Sequence, residues 1–271
     1  PMKRLLAALA AAATLSGCAI STQQEVQMGQ QYSQQINAQL PIIKDPEVNR
    51  YINVLGDSIA RLADSRDLDW KFYIVDAPDV NAFALPGGII YVNRGLIERS
   101  AQMDELAGAL GHEIGHVVRR HVVRDMQRSQ GANIGVIAMC VLLNTCNDPL
   151  TQNAINIAGG AVFAKFSRAD EAEADAEGVK NVVRAGIDPR GLPDLFRVLL
   201  DERKTKPAGV DAWFLSHPLE EDRITHTNAL IAQIDPAILA TLTKDSPNYQ
   251  AFRKRLASLP HAPQSRQQQV P

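Results

Sequence analysis

Residues 106–117 read Leu-Ala-Gly-Ala-Leu-Gly-His-Glu-Ile-Gly-His-Val and combine two patterns. Apolar side chains recur here at the 3.6-residue spacing of a helix that packs one face into a protein core. The apolar residues of this face are Met103, three residues before the quoted stretch, and Leu106, Leu110, Ile114 and Val117. The same segment contains the motif His112-Glu113-Ile114-Gly115-His116. Residues four apart lie on one face of a helix, so both imidazoles can reach a single ion.

The two histidines predict a metal centre of the catalytic kind, with one Zn²⁺ per chain. Zinc accepts neutral imidazole nitrogen, and a catalytic site needs three protein ligands and a water. Glu113 follows the first histidine and is the candidate base, because it can take a proton from that water during attack on a carbonyl. A purely structural zinc site is usually closed and cysteine-rich, and no cysteine lies in this motif.

The third ligand has to come from elsewhere in the chain. One zinc class places a histidine six residues after the second motif histidine, but Val122 stands there. On a continuous helix His121 lies about 140° round from His116 and cannot easily share the site. The remaining candidates are the carboxylates of an acidic segment: Asp170, Glu171, Glu173, Asp175 and Glu177.

That acidic segment offers two equivalent pairs. Glu171 and Asp175 share a helix face, and so do Glu173 and Glu177. Either pair could supply one ligand and one acceptor for the ring N–H of a ligand histidine. Spacing does not choose between the pairs, and a solvated acidic helix face is the common alternative.

Four separated motifs resemble the HtpX and CAAX prenyl protease family of zinc metallopeptidases, in particular its exported bacterial members such as BepA and LoiP. The resemblance covers about residues 45–233. The motifs are Asn81-Ala82-Phe83-Ala84 with Pro86-Gly87-Gly88, the His112–His116 motif, Phe166-Ser167-Arg168 leading to Glu171-Ala172-Glu173-Ala174-Asp175, and Ser216-His217-Pro218 with Arg223.

The resemblance implies an α+β, mostly helical, zincin-like domain with a small β-sheet at the edge of the active-site cleft. It implies that Glu171 is the third zinc ligand and that Asp175 orients a ligand histidine. His217 would lie over the zinc, where it either hydrogen-bonds the oxyanion of the reaction or blocks the fourth zinc position at rest. Arg223 would position His217 or a substrate carbonyl, or would serve as a structural ion-pair donor.

The resemblance also places the strand at residues 89–93 along the edge of the cleft, where an extended peptide could add as another strand. The candidate substrate contacts are Asn81, Ala82, Gly88, Ile89 and Tyr91. The implied function is a zinc-dependent metalloendopeptidase of the bacterial envelope that hydrolyses misfolded or stalled envelope proteins. A chaperone-like binder of unfolded chains with little proteolysis is the alternative.

Local signals predict the other elements. Asp45-Pro46-Glu47 is typical of a helix N-terminus, here running to about Ala63. Strands are expected at 70–75 and 89–92, and a turn-rich segment at 81–88. A mostly helical region is expected from 96 to about 130, with a break near residues 99 and 100, followed by helices near 150–166, 168–185, 191–204, 219–233 and 246–257. The apolar segment 134–143 is either a core helix or a flap or lipid-facing surface, and residues 131–160 could plug the cleft.

The N-terminus resembles a bacterial lipoprotein signal. Lys3 and Arg4 precede an apolar run from Leu5 to Leu15, and Ser16-Gly17-Cys18 follows. Cys18 would be lipidated, and Ala19 favours sorting to the outer membrane; a plain secretory signal is the alternative. The expected divisions are a signal peptide (1–18), a linker or helix (19–44), the catalytic domain (45–258) and a disordered tail (259–271).

Composition excludes several classes of protein. With 45% hydrophobic and 21% charged residues, the chain is an ordinary globular sequence. A formal charge of -2 lacks the basic footprint of a nucleic-acid binder. The family resemblance implies unfolded or extended polypeptides as substrates, and the lipoprotein-like signal implies membrane contact through a lipid anchor. In that oxidising compartment Cys140 and Cys146 either form a disulfide or stay as two buried thiols.

Overall fold

The structure is a computed structural model that describes residues 20–129, 166–205, 210–218 and 221–262. Several sequence predictions lie outside these residues. They are the lipidation of Cys18, the pairing of Cys140 with Cys146, the plug at 131–160, the apolar segment 134–143, nearly all of the helix at 150–166 and the end of the tail.

The described residues form eleven helices and one three-stranded sheet, so the predicted mostly helical α+β architecture is confirmed. The strands are β1 (Lys71–Val75), β2 (Ala82–Leu85) and β3 (Ile89–Asn93). The helices are α1 (Thr22–Gln39), α2 (Pro46–Ala63), α3 (Arg94–Arg99), α4 (Met103–Val118), α5 (His121–Ser129), α6 (Arg168–Arg184), α7 (Gly191–Thr205), α8 (Asp211–Ser216), α9 (Glu221–Ile231), α10 (Pro236–Leu239) and α11 (Pro247–Ser258). None of the helices in these ranges has the length and apolarity that a bilayer crossing requires.

The strongest local signals gave the right elements. The Asp45 side chain accepts hydrogen bonds from the backbone N–H groups of Glu47 and Val48, and Pro46 opens α2. The helix ends at Ala63, as its apolar spacing predicts. The break expected near residues 99 and 100 separates α3 from α4. Helices α8 and α10 are short and were not predicted.

The expectation of a turn-rich segment at 81–88 was wrong for its first half. Ala82–Leu85 is a strand whose four residues are all buried, and only residues 86–88 form a turn. Gly87 and Gly88 adopt φ angles of 80° and 94° there, which glycine reaches without strain. Proline and glycine near this segment favoured the prediction of a turn. The segment is nevertheless a strand because it pairs with β3, and strand formation depends on neighbouring strands more than on local composition.

The sheet order is β1-β3-β2, with β3 parallel to β1 and antiparallel to β2. The expected edge position of residues 89–93 is therefore wrong, because β3 is the central strand and both its edges are paired. The side chain of Tyr91 stacks on Phe83 with ring centroids 4.9 Å apart and packs with Ile89 in the cluster under α1. Within the described ranges β2 is an edge strand that pairs with β3 alone, and its other edge, called the open edge below, lies next to α4.

A second, unpredicted break divides the long helical region. Helix α4 ends at Val118 and α5 begins at His121. Between them Arg120 has a φ angle of 56°, in the left-handed region that a residue with a Cβ atom rarely adopts. The break redirects the chain just after the second motif histidine.

Candidate metal centre

Close packing of α4 against α6 brings the motif histidines to the acidic segment. A Cβ atom on Gly115 would lie 2.8 Å from the carbonyl oxygen of Ala174, and one on Gly178 would lie 3.1 Å from the backbone nitrogen of His112. Larger side chains at these positions would hold the helices apart. The glycines therefore let the face of α6 that carries Glu171 and Asp175 lie against the motif.

Three side chains converge on one buried point. His112 Nε2 lies 3.0 Å from His116 Nε2. Glu171 Oε1 is 3.3 Å from His116 Nε2, and Glu171 Oε2 is 3.6 Å from His112 Nε2. With His217, these residues place one ligand atom each within 4.8 Å of one another. All four are at most 1% exposed.

This donor set fits a zinc ion. Bonds of about 2.0–2.1 Å to a tetrahedral ion place its ligand atoms roughly 3.3–3.4 Å apart, close to the separations of the three side chains. Among the described residues, the buried Glu171 Oε2 is ion-paired with Arg223 Nη1 but accepts no hydrogen bond of good geometry. Two imidazole nitrogens and a carboxylate that face one another without enough protons between them call for a cation. Two histidines and one glutamate are also the ligands of a known class of catalytic zinc site.

The protonation states also suit a cation. Burial holds the pKa of His116 well below its ordinary value, so its ring is neutral. Burial alone would raise the pKa of Glu171, but the neighbouring His217 and His112, with hydrogen bonds from His116 and His217, bring it well below the usual range. At neutral pH the site thus presents a neutral imidazole and an ionised carboxylate.

Geometry separates the two candidate acidic pairs. Asp175 Oδ1 lies 2.8 Å from His112 Nδ1, so Asp175 is placed to accept the ring N–H of a ligand histidine. By contrast, Glu177 pairs with Arg119 at 2.8 Å, and Glu173 lies beside Arg124 at 3.2 Å. Only the Glu171 and Asp175 pair reaches the motif.

Arg223 links the two carboxylates of that pair. Its Nε and Nη2 donate to Asp175 Oδ2 and Oδ1 at 2.9 and 2.7 Å. Its Nη1 lies 2.5 Å from Glu171 Oε2. The guanidinium carbon also lies 4.5 Å from the centroid of the Phe196 ring. This two-pronged grip fits the structural ion-pair alternative, with Arg223 holding the carboxylates rather than a substrate.

Glu113 and His217 lie together on another side of the convergence point. Glu113 Oε1 is 3.4 Å from His217 Nε2 and accepts no hydrogen bond from the described residues. Burial raises the pKa of Glu113. The His217 ring is held by Trp213, with centroids 4.8 Å apart, and its Nδ1 lies 3.1 Å from Glu171 Oε1. Burial disfavours the charged His217 ring, but the charges of Glu171 and Glu113 outweigh it and raise its pKa.

The candidate substrate contacts divide into two groups. Asn81 and Ala82 lie on or next to β2, and neither polar side-chain atom of the buried Asn81 has a partner among the described residues. Gly88 accepts a hydrogen bond from Lys71 of β1 through its carbonyl oxygen, and Ile89 and Tyr91 lie in the central strand. The second group is therefore turned away from the open edge.

Sequence reasoning missed His121. Its Nδ1 lies 2.8 Å from His116 Nδ1, although a continuous helix would have carried it away from the site. The left-handed Arg120 turns the chain back and brings the two rings together. The residues from 119 to 121 include no glycine or proline, so the sequence carried no signal for this break.

Comparison with known proteins adds an independent line of evidence. The sequence matches the family model described as Peptidase family M48 over residues 46–231. It is 32% identical over 235 residues to a putative beta-barrel assembly-enhancing protease of Vibrio cholerae serotype O1, covering 84% of this chain and 48% of that protein. The beta-barrel assembly-enhancing protease of Escherichia coli K12 is 30% identical over 236 residues, covering 83% and 47%.

A shorter relative matches nearly end to end. The metalloprotease LoiP of Escherichia coli K12 is 26% identical over 245 residues, covering 83% of this chain and 95% of LoiP. The chain spans about half the length of the beta-barrel assembly-enhancing relatives. The family model covers most of the described helices and every residue of the convergence point. The chain belongs to peptidase family M48.

Proposed function

We propose that this protein is a zinc-dependent metalloendopeptidase whose ligands are His112, His116 and Glu171. The observation that carries the proposal is the convergence of two imidazole nitrogens and an ionised carboxylate on one buried point beside Glu113. Zinc bound there supplies a Lewis acid that polarises the scissile carbonyl and lowers the pKa of a water molecule.

Glu113 is the general base of this proposal. Its carboxylate takes a proton from the attacking water and passes it to the leaving amine. Burial raises the pKa of Glu113 above its ordinary value, which makes its carboxylate a stronger base. Asp175 keeps His112 in orientation, and Arg223 keeps both carboxylates of α6 in place.

The position of His217 is compatible with both roles that the sequence left open, oxyanion donor and resting-state blocker of zinc. From its position beside Glu113, a ring N–H can donate to the oxyanion, a contact whose removal typically slows turnover by about 10²–10³. The position of His217 Nδ1, 3.3 Å from His112 Nε2, also suits a ring that occupies the fourth zinc position at rest. Replacement by alanine separates these roles, because slower cleavage supports the first and faster cleavage the second.

The strand β2 is proposed to bind the substrate along its open edge. Asn93 donates its backbone N–H to the carbonyl of Asn81, and hydrogen-bonded pairs alternate along an antiparallel ladder. The backbone groups of Ala82 and Ala84 therefore point away from β3, toward the open edge. An extended peptide can pair with them there, which would make the enzyme select unfolded backbone rather than particular side chains.

The site of action is proposed to be the bacterial periplasm, with the protein anchored to the outer membrane through Cys18. The lipoprotein-like signal and the relatives named for beta-barrel assembly support this location. The substrates would then be misfolded or stalled envelope proteins.

Metal content and proteolysis test the proposal together. The purified protein is expected to contain one zinc ion per chain and to digest unfolded casein. A chelator should abolish the digestion, and added zinc should restore it. Protein that contains no stoichiometric metal, or whose digestion survives complete removal of the metal, would contradict the assignment.

A further inference from the structure

His121 is a buried ring that the proposed mechanism leaves without a role. It is 0% exposed, and it begins α5 just after the left-handed Arg120. On one side its Nδ1 lies 2.8 Å from His116 Nδ1. On the other side its Nε2 lies 3.2 Å from Glu173 Oε2.

The position of one proton decides what His116 can bind. A hydrogen bond between two Nδ1 atoms holds a single proton, which sits on one of the two rings. If His121 carries it, a neutral His116 must have its own proton on Nε2. That proton would then point at Glu171 and His112, and His116 could not be a ligand. If His116 Nδ1 carries the proton, its Nε2 lone pair faces the convergence point.

The second arrangement also satisfies His121. As a neutral acceptor at Nδ1, His121 carries its proton on Nε2, and that N–H meets the carboxylate of Glu173. Arg124 Nη2 lies 3.2 Å from the same Glu173 oxygen and 2.7 Å from Asp170 Oδ1, which holds the carboxylate in place. One assignment of protons therefore completes every contact from His116 to Glu173.

We propose that His121 is a positioning residue for the metal, accepting the Nδ1–H of His116 and donating its own Nε2–H to Glu173. This inference rests on the zinc site proposed above. His112 is oriented directly by the carboxylate of Asp175, whereas His116 is oriented by a second imidazole that relays the carboxylate of Glu173. Partners of this kind fix the tautomer and direction of a ligand ring.

The surrounding structure holds the pair of rings together. Phe166 stacks on His116 with centroids 3.9 Å apart and lies 6.0 Å from His121. The Arg120 guanidinium donates to Glu25 Oε2 at 2.7 Å and to the carbonyl oxygen of Ile20 at 2.6 Å. These contacts stabilise the left-handed residue that returns His121 to His116.

Two variants of His121 test the acceptor directly. H121F keeps a ring against Phe166 but has no acceptor, whereas H121N places an amide oxygen near the position of Nδ1. We expect zinc affinity, measured by competition with a chromophoric chelator, to fall about 10–100-fold in H121F. In H121N, zinc affinity should return most of the way to the wild-type value. H226N, at an exposed histidine of α9, is the control and should bind zinc like the wild type.

A spectroscopic measurement on the unaltered, zinc-loaded protein gives an independent readout. Long-range ¹H–¹⁵N correlations of the histidine rings should show His121 with its proton on Nε2 and His116 with its proton on Nδ1. The reverse assignment for His121 would overturn the inference. So would an H121F variant that folds and binds zinc as tightly as the wild type, or an equal loss in H121F and H121N.

Glu173→Ala keeps the inference testable should H121F fail to fold, because the Glu173 side chain is 42% exposed. This change should weaken zinc binding several-fold, and unchanged affinity would contradict the relay. Failure of the proposed function looks different, since the wild-type protein would then bind no zinc at all. If the wild type binds zinc tightly and the His121 and Glu173 variants bind it equally tightly, only the relay is refuted and the proposed function stands.

Discussion

Glu113 shows how burial sets the chemistry of a single residue. Its carboxylate is 1% exposed, it accepts no hydrogen bond through Oε1 from the described residues, and it lies beside, not among, the three proposed ligands. A buried acceptor left unpaired is destabilising, and an unpaired carboxylate oxygen here fits the proton-transfer role proposed for Glu113.

The change Glu113→Gln should therefore separate metal binding from cleavage. Glutamine keeps the shape but cannot take a proton, so casein cleavage should fall by about 10²–10⁴-fold, while zinc content measured by mass spectrometry stays at one ion per chain. A variant that still protects unfolded envelope proteins from aggregation at the wild-type level would favour the chaperone-like alternative. Wild-type cleavage by the variant would rule out Glu113 as the base.

Asp104 is another buried carboxylate, two turns before His112 on the same helix α4. Neither of its oxygens has a hydrogen-bond partner in the described chain, and burial raises its pKa to about 7, with Asp188 and Glu105 adding to the effect against Lys244. The folded protein thus holds a proton on Asp104 more tightly than the unfolded chain does. The stability lost to this group grows as pH rises from about 4 to 7 and is complete above pH 7.

Asp104→Asn should remove that pH-dependent loss. At pH 8 the variant is expected to be more stable than the wild type by at most about 4 kcal/mol, the free energy equivalent to the pKa displacement, and by less at pH 5. Urea unfolding at both pH values measures the difference. Asp201→Asn, at a side chain that is 76% exposed, is the control. A gain of equal size at pH 5 and pH 8 would show that Asp104 is not the titrating group.

At the scale of helices, small residues set the distance between α4 and α6. The methyl group of Gly115→Ala would enter the space of the Ala174 carbonyl oxygen, 2.8 Å away. Overpacking of this kind costs about 1–3 kcal/mol, and moving α6 outward would displace Glu171. We expect lower thermal stability together with weaker zinc binding.

Gly108 provides a matched control on the same helix. A Cβ there would lie 2.8 Å from the Cα of Leu192, which belongs to α7, so Gly108→Ala should lower stability by a similar amount without moving α6. Zinc affinity should fall in Gly115→Ala and stay near the wild-type value in Gly108→Ala. An equal effect of both changes on zinc affinity would mean that the α4–α6 distance does not position Glu171.

A change in the edge strand β2 should affect substrate binding rather than metal binding. Ala84→Pro removes an outward-facing N–H, and proline is tolerated on edge strands. The KM for an unfolded protein substrate should rise several-fold with little change in kcat or zinc content, whereas Ala84→Ser, which keeps the N–H, should behave like the wild type. A KM unaffected by Ala84→Pro would argue against pairing along β2.

Sequence patterns predicted those features whose causes are local. Asp45 caps α2 through neighbouring N–H groups, and His112 and His116 share a face because of helix geometry alone. Local patterns could not tell whether Glu171 or Glu173 faces the motif histidines, since both have an acidic partner four residues on. The answer depends on which face of α6 packs against α4, where the glycines of α4 allow close contact. The strand Ala82–Leu85 likewise exists because β3 pairs with it, and His121 reaches His116 only through the left-handed Arg120.

Across the whole molecule, the N-terminal helix is tied to the end of the motif helix. Glu25 of α1 is 1% exposed and pairs with Arg66 at 3.2 Å and Arg120 at 2.7 Å. Arg66 in turn donates to the carbonyl oxygen of Val117 at the end of α4. The segment before the predicted catalytic domain is therefore part of the scaffold that fixes α4. Of the linker or helix expected at 19–44, the helix α1 makes up the larger part.

The metal should add to this scaffold by joining α4 and α6 across the core. A ligand that binds only the folded chain stabilises it in proportion to the logarithm of its free concentration over Kd, about 4 kcal/mol at a thousandfold excess. For a chain of this size that is a rise in Tm on the order of 10 °C. Calorimetry of the metal-free protein with and without zinc measures the shift, and Glu113→Gln should show it in full because its carboxylate is not a ligand. His116→Ala should show little or none, and an undiminished shift in that variant would place the stabilising zinc somewhere other than between these two helices.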